Sequence, residues 1–445
     1  MPARSALDIE GQLPPPLRTR SGRFGALSDA VALIPDGAMV YAAGLMGTPT
    51  KLLQAMAENF SSWRNLTTTS DYLLEPLATF ARPEDVAAPE WPFHHVTVQP
   101  SRATGRLAVD RLRTVSAHSS QFYRLFQPGG PLAVDVALVQ VSEPGPDGRF
   151  SLGVSGGAAL EVVCRAELVI AEVNPAMPWI RGPSAFERDA FDLLVEVDHP
   201  LLTLPPAPAS TRPTPDSQGD LSRSAIIGAL VAAEVENGST IEYGIGTIPD
   251  AAIEALSGHE ALGLHSGLIG DAAMALIDAG VMDGSAKTVD AGLHVASAVL
   301  GTVRAVEWVR GRDDVVIVAS NYSHGVPTLN RQQRFVAINS AIEVSLDGSE
   351  GDTSTVRSVF FIDPANKIRT ILTYPKSVGR NFDEILRVVD ALQATDAHPI
   401  ATPADWQPGD RVIVPPTMST EEAGTKLANV EELKPYLRYA DAPSS

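Results

Sequence analysis

Three glycine-bearing stretches are the places where this chain could hold a ligand or a reacting group. Gly44 and Gly47, in YAAGLMGTPTKLL, follow a strand-like run and precede a helix-like one that begins near Pro49. Gly244 and Gly246, in YGIGTIPD, repeat the arrangement later in the chain with Pro249. Backbone N–H groups at such strand-to-helix turns can meet an anionic or acyl ligand, and two of these loops facing one another would border a cleft. Neither has the GxGxxG spacing of a dinucleotide site. The third stretch, residues 153–157 (GVSGG), matches GxSxG, which in hydrolases sets a nucleophilic serine on a sharp strand-to-helix turn. Asp198 and His199 follow in the order of a catalytic triad. They are adjacent at one strand end, whereas triad partners come from separate loops, so Ser155 reads as a turn or cap residue.

The remaining reactive side chains carry less. Cys164, the single cysteine, can close no internal disulfide, build no cysteine-rich zinc site and supply no CxxC pair. Its neighbours Val162, Val163 and Ala166 are apolar, a setting that raises a thiol pKa. His94 and His95 are consecutive on a strand-like run and point to opposite faces, so the two rings cannot share a metal on one face. His265, His294 and His324 sit near strand ends and read as structural. No metal site is expected.

The elements that must position these groups alternate along the first 345 residues. Apolar runs such as 134–141 (VDVALVQV), 167–173 (ELVIAEV), 193–197 and 315–319 interleave with helix-like segments. That alternation predicts an α/β fold with largely parallel strands covered on both faces. The proline-rich stretch 203–220 breaks the pattern and reads as a linker, followed by a helix over 222–236 and a second α/β unit. After Gly348 the texture changes to a hairpin, with 357–363 (RSVFFID) and 367–374 (KIRTILTY) around Pro364-Ala365-Asn366. A helix capped by Asn381, with Glu384 three positions on, comes next. The tail with Pro399, Pro403, Pro408, Pro415 and Pro416 reads as an extended arm. The expected organisation is a first domain over 1–202, a linker over 203–220, a second, incomplete domain over 221–350, and a distinct segment over 351–445.

Charge and length exclude whole classes. The 445 residues carry 34 Lys and Arg against 53 Asp and Glu, a formal charge of −19, which repels nucleic acid and anionic membranes. No apolar run is long enough to span a bilayer and the N-terminal stretch has no apolar h-region, so a cytoplasmic location is expected.

The ordered motifs VDVALVQVS (134–142), GRFSLGVS (148–155), LVIAEVNPAMP (168–178), LVEVDHPL (194–201), STIEYGIGTIPDAAIEAL (239–256), LGLHSGLIGDAAMALIDAGVMD (262–283) and FVAINSAIEVSLDG (335–348) resemble the acetyl-CoA hydrolase and transferase family of class I CoA transferases. The resemblance runs over about residues 25–348. It implies a two-domain α/β CoA-transferase-like fold that binds acyl-CoA between its domains and passes CoA to a carboxylate acceptor, with coenzyme A as substrate or ligand. In that family a glutamate following a His-Thr or His-Ser pair attacks the thioester and carries CoA as a glutamyl thioester. Here the string is His265-Ser266-Gly267, so the nucleophile position holds a glycine. The family's GxGGQ segment, which stabilises the oxyanion, does not follow Asp347 either.

Residues 351–440 resemble instead the C-terminal half of the one-cysteine peroxiredoxins. Arg357 would then be that family's active-site arginine, and the tail would contribute to a homodimer. The peroxidatic cysteine belongs to the other half of such a protein, and Cys164 lacks its PxxxTxxC setting. Two partial matches meeting near Gly348 imply a fusion. The readings are therefore an acyl-CoA hydrolase or lyase that kept the fold, with Glu242, His265 or Asp271 as general base near the vacated position; a non-catalytic CoA-binding chimera; or a peroxiredoxin-type protein without its thiol. Gly44, Gly47, Gly244 and Gly246 are the expected ligand-binding loop residues.

Overall fold

The computed structural model describes residues 18–84, 86–115, 117–205, 215–340, 357–362, 367–374 and 381–443. The chain divides into two compact units, 1–340 and 341–445.

The first unit contains two parallel sheets. The strands of its N-terminal lobe are β1 (Arg23–Phe24), β2 (Met39–Ala42), β3 (Leu66–Ser70), β4 (Phe93–Thr97), β5 (Leu112–Thr114), β6 (Val136–Val141), β7 (Phe150–Ser151), β8 (Leu168–Val173), β9 (Ala185–Phe186) and β10 (Leu193–Glu196). Eight of them form one sheet in the order β1-β10-β8-β6-β2-β3-β4-β5, while β7 and β9 pair separately as an antiparallel ladder. Every pairing in the eight-stranded sheet is parallel. The reason is visible in β6, VALVQV, whose six residues are all buried, as helices on both faces of a parallel sheet require. One face packs a core around Tyr41, Val139 and Phe191, the other a core around Leu52, Leu138 and Ile170.

The second lobe holds β11 (Thr240–Tyr243), β12 (Gly263–Ile269), β13 (His294–Val299), β14 (Val315–Ile317) and β15 (Phe335–Ile338), in the order β14-β13-β12-β11-β15 and again all parallel. Its core is continuous with the first lobe: Leu264, Ile269 and Ala298 share one apolar cluster with Met46, Val154, Met177 and Ile180.

Strand order fixes where the lobes can hold a ligand. In the first sheet the order reverses between β2 and β6, and in the second between β11 and β15. Loops leave in opposite directions at such a point and open a crevice at the carboxyl ends of the strands.

The GVSGG loop is the seam between the lobes rather than a nucleophile turn. Gly156 N donates to Ser297 O at 2.9 Å, Gly157 N to Val318 O at 3.1 Å, and Val299 N to Val154 O at 2.9 Å. The first lobe thus hydrogen-bonds the ends of β13 and β14. Gly156 has to be a glycine because a Cβ there would lie 2.5 Å from Ile317 Cγ2 and 2.8 Å from the Ser297 carbonyl oxygen. Gly156→Ala is therefore expected to lower stability by about 1–3 kcal/mol, the usual range for overpacking, read as a lower midpoint in a thermal melt.

One expectation about local structure needs correction. The helix leading into β11 spans Pro215–Ala233, so it begins inside the stretch read as linker rather than at Ser222. Residues 206–214 of that stretch lie outside the described residues. No described helix is long and apolar enough to cross a membrane.

The second unit begins with the hairpin expected from its sequence: β16 (Arg357–Ile362) and β17 (Ile368–Tyr374) pair antiparallel with Arg357 opposite Tyr374. Its turn residues, 363–366, lie outside the described residues. The helix Phe382–Ala397 is capped as read, with Asn381 Oδ1 accepting from Glu384 N at 3.1 Å. Beyond it the chain carries more structure than an arm. Strands β18 (Val412–Ile413), β19 (Glu431–Lys434) and β20 (Leu437–Ala440) form an antiparallel sheet, and Trp406, Val412, Val414, Met418 and Ala423 make a small core. Buried Arg438 holds this part together by donating to the carbonyls of Pro415 and Met418.

Candidate active site

Both switch points of the first unit open onto one cavity of about 270 Å³. Leu45 after β2, Asp71 and Tyr72 after β3, and Ser155 to Gly157 of the seam line it from the first lobe. From the second lobe come Glu242 to Ile245 at the end of β11, Gly267 and Leu268 on β12, Ser297 on β13, His324 beyond β14 and Asn339 beyond β15. Leu45 holds a φ of +51°, a strained conformation for a bulky side chain that places its backbone on the cavity wall.

Two carboxyls and one imidazole line this space. Asp71 accepts a hydrogen bond from the fully buried Tyr41 hydroxyl at 2.6 Å, and burial outweighs that bond to push the carboxyl up to about 6. Its other oxygen, Oδ1, is buried without a hydrogen-bond partner. Glu242 accepts from Asn339 Nδ2 at 2.8 Å and is likewise raised above the ordinary carboxylate range by burial, against the opposing effect of that bond. The His324 imidazole is shifted the other way, since burial disfavours its cation.

His324 is oriented by a hydroxyl chain. Its Nδ1 lies 2.8 Å from Ser323 Oγ, which lies 2.6 Å from Ser297 Oγ. The opposite side of the ring abuts Gly267: a Cβ at 267 would lie 3.0 Å from both Cε1 and Nε2 of His324. The imidazole thus stands in the space that any side chain at 267 would enter.

Among the residues singled out from sequence, Ser155, Glu242, Gly244, Gly267 and His324 line the cavity, whereas His265, Asp271, Gly44, Gly47 and Gly246 do not. His265 lies on the same strand face as Gly267 but two residues deeper, with no exposed surface, its ring set between Gln332 Nε2 at 3.3 Å and the Tyr322 carbonyl at 3.4 Å. Burial lowers it to about 3, so the ring stays neutral within the core. Asp271 is exposed at the start of the helix Asp271–Asp278, where Oδ2 accepts from Thr302 N at 3.4 Å. Gly44 and Gly47 are buried behind the cavity wall, where Gly47 lets the loop pack against Ser155, and Gly246 begins the helix Thr247–Ala255. Arg357 stands at the first position of β16 in the other unit, and its side chain lies outside the described residues.

The other chemistries find no support in the geometry. His199 is engaged by Glu172 at 3.0 Å and Thr50 at 3.4 Å, leaving Ser155 without an imidazole partner. Cys164 is buried and its thiol is pushed up to about 12. Among the described residues no group of three or more His, Cys, Asp or Glu side chains is placed to hold a metal ion.

Asp71 escapes sequence reasoning altogether, and His324, which reads as structural from its sequence, lines the cavity. Asp71 follows a polar strand, TTTS, that carries no motif, and His324 reaches Gly267 only because β14 and β12 flank β13 in the sheet.

Comparison with known proteins agrees with this architecture. Residues 22–186 match the family described as acetyl-CoA hydrolase/transferase N-terminal domain, and residues 391–430 the family described as C-terminal domain of 1-Cys peroxiredoxin. The chain therefore joins a segment homologous to CoA transferases to one homologous to one-cysteine peroxiredoxins. It is 37% identical over 217 residues to a 4-hydroxybutyrate coenzyme A transferase of Clostridium kluyveri, covering 49% of this chain and 48% of that one. It is 56% identical over 91 residues to a mitochondrial peroxiredoxin of Saccharomyces cerevisiae, covering 20% of this chain and 35% of that one. The chain thus spans about half the length of the first and about a third of the second. The crystal structure of a 4-hydroxybutyrate CoA-transferase from Porphyromonas gingivalis superposes with a TM-score of 0.58 at 27% identity, over 72% of this chain and 74% of that one.

Proposed function

We propose that the first unit binds acyl-CoA with its thioester in the cavity between β11, β12 and the seam loop, and that it hydrolyses the thioester rather than transferring CoA through a glutamyl intermediate. The observation that carries this reading is Gly267. It lines the cavity at the position where the family resemblance puts the nucleophile, and it offers no carboxylate to attack with.

The surroundings suit an acyl thioester. A cavity of about 270 Å³ lies just below the roughly 300–1,000 Å³ usual for ligand pockets. That fits a short acyl group and its thioester, with the rest of CoA outside. Burial raises Asp71 to about 6 and Glu242 above its usual value and keeps the His324 imidazole in its unprotonated form, displacements that are common among groups at functional sites. The organisation proposed for the chain is two lobes, 1–202 and 221–350, joined through 203–220, of which the compact first unit includes the second lobe as far as Ser340, with the lobes meeting at the GVSGG seam. A peroxidase reading gains nothing from the same geometry, because a buried thiol raised to about 12 supplies little thiolate.

The test is a thermal melt of the full chain with and without millimolar CoA, followed by release of free thiol from short acyl-CoAs. A ligand that binds only the folded state at a hundred times its Kd adds about 2.7 kcal/mol. The expected outcome is an upward shift of the first cooperative transition together with thiol release. An unshifted transition would sink the proposal, and a shift without thiol release would leave a CoA-binding protein with no hydrolytic activity.

A further inference from the structure

We infer that His324 is the general base of this site, activating the water that takes the place of the missing glutamate. This rests on the hydrolytic reading above. The imidazole occupies the position where a side chain at 267 would project, with Cε1 and Nε2 each 3.0 Å from a Cβ built on Gly267. No other side chain beyond the immediate chain neighbours lies within 4 Å of that position.

Orientation supports the same role. Nδ1 is engaged by Ser323 Oγ at 2.8 Å, and Ser323 Oγ by Ser297 Oγ at 2.6 Å, so the ring is held by one nitrogen. Nε2 makes no hydrogen bond among the described residues and is not among the buried polar atoms that lack a partner, so it is open to the cavity that His324 lines. A base held by a third group at one nitrogen and free at the other is the arrangement that proton transfer from a nucleophile requires. The other candidates are less suited. Neither Glu242 nor Asp71 comes within 4 Å of a Cβ built on Gly267, where the His324 ring alone is found, and the Asp71 oxygen that Tyr41 leaves free is fully buried.

The step balances without any further reagent. Nε2 takes a proton from water as the water oxygen forms a bond to the thioester carbonyl carbon. Collapse of the tetrahedral intermediate breaks the carbon–sulfur bond, and the imidazolium returns its proton to the departing thiolate. The products are the carboxylic acid and free CoA thiol, and Nε2 is again unprotonated.

Hydrolysis of a short acyl-CoA by the full chain and by His324→Ala and His324→Gln tests this, with CoA binding followed separately by the melting shift. Both variants are expected to keep the CoA-induced shift while kcat falls by about 10²–10⁴-fold, the span for loss of a general base. Added imidazole is expected to restore part of the activity of His324→Ala, where the ring has left a space, and none of that of His324→Gln. A purely structural histidine would show no such rescue. Retention of more than half the activity by either variant, or equal insensitivity of both to imidazole, would overturn the assignment. Loss of the CoA shift in the unmodified protein would instead overturn the reading on which it rests.

Discussion

Replacing Glu161 with methionine is expected to raise the melting temperature of the first unit at pH 8 and to change it far less at pH 4. Glu161 lies on the helix Ala158–Arg165 with 4% of its surface exposed, and both carboxylate oxygens are buried without a hydrogen-bond partner. A small recess lined by Phe126, Gln127, Ala158, Val162 and Arg165 surrounds it. Burial raises the carboxyl from 4.5 to about 7, with the Arg165 charge opposing only in part. The sign follows from proton counting. Between pH 4.5 and about 7 the folded chain holds a proton at Glu161 that the unfolded chain has released, so stability falls as pH rises through that window and stays reduced above it. A displacement of this size corresponds to about 3 kcal/mol at pH 8. Methionine matches the length of the side chain, removes the charge and fills an irregular recess with a flexible thioether. The measurement is the midpoint difference between variant and unmodified protein across pH 4 to 9. The difference should grow between pH 4.5 and 7 and then level off; a constant difference across the range would show that Glu161 titrates as an ordinary glutamate.

Much of the framework that carries the site was legible in the sequence because its signals are local. The strands β6 and β8 are continuous apolar runs, and a strand covered on both faces has no other composition available. The hairpin β16–β17 and the Asn381 cap are likewise set within a few residues. What escaped depends on contacts between distant parts of the chain. His265 and His324 look alike from their surroundings in the sequence, each near a strand end, yet one is sealed in the core and the other faces the cavity. Nothing in their neighbours says which, because the difference is set by how far each ring sits along the sheet and by what covers it. The GVSGG segment carries a second lesson. Its glycines satisfy a hydrolase pattern, but the constraint they answer to is close backbone approach to Ser297 and Val318. The tail shows the same limit from the other side, since its prolines mark where strands and helices stop without excluding the short sheet β18–β20–β19 between them.

The same packing against Gly267 predicts the outcome of restoring the missing nucleophile. Gly267→Glu alone is expected to form little covalent intermediate, whereas Gly267→Glu combined with His324→Ala is expected to accumulate a glutamyl-CoA thioester on incubation with acyl-CoA. A side chain at 267 meets the His324 ring at 3.0 Å, so the ring has to give way against the hydrogen bond between Nδ1 and Ser323 Oγ, which Ser297 Oγ in turn holds in place. In the single variant either the new carboxylate is turned from the cavity or the imidazole is forced off its hydroxyl partner, and both place the attacking oxygen poorly. Removing the ring clears that volume, and the carboxylate then projects from β12 into a space already lined by Glu242, Asp71 and Asn339. These acids disfavour a third negative charge, which raises its pKa and slows attack, so the intermediate should form more slowly than in a transferase that evolved around its glutamate. Mass spectrometry of the intact chain, with peptide mapping to residue 267, reads the adduct directly, and at least tenfold more is expected in the double variant than in the single one. Equal adduct in both would show that His324 yields freely and is no obstacle. Absence of adduct from both, with the CoA-induced melting shift intact, would place the loss of transferase chemistry elsewhere in the site; the segment that stabilises the oxyanion in the family this unit resembles would be the first place to look.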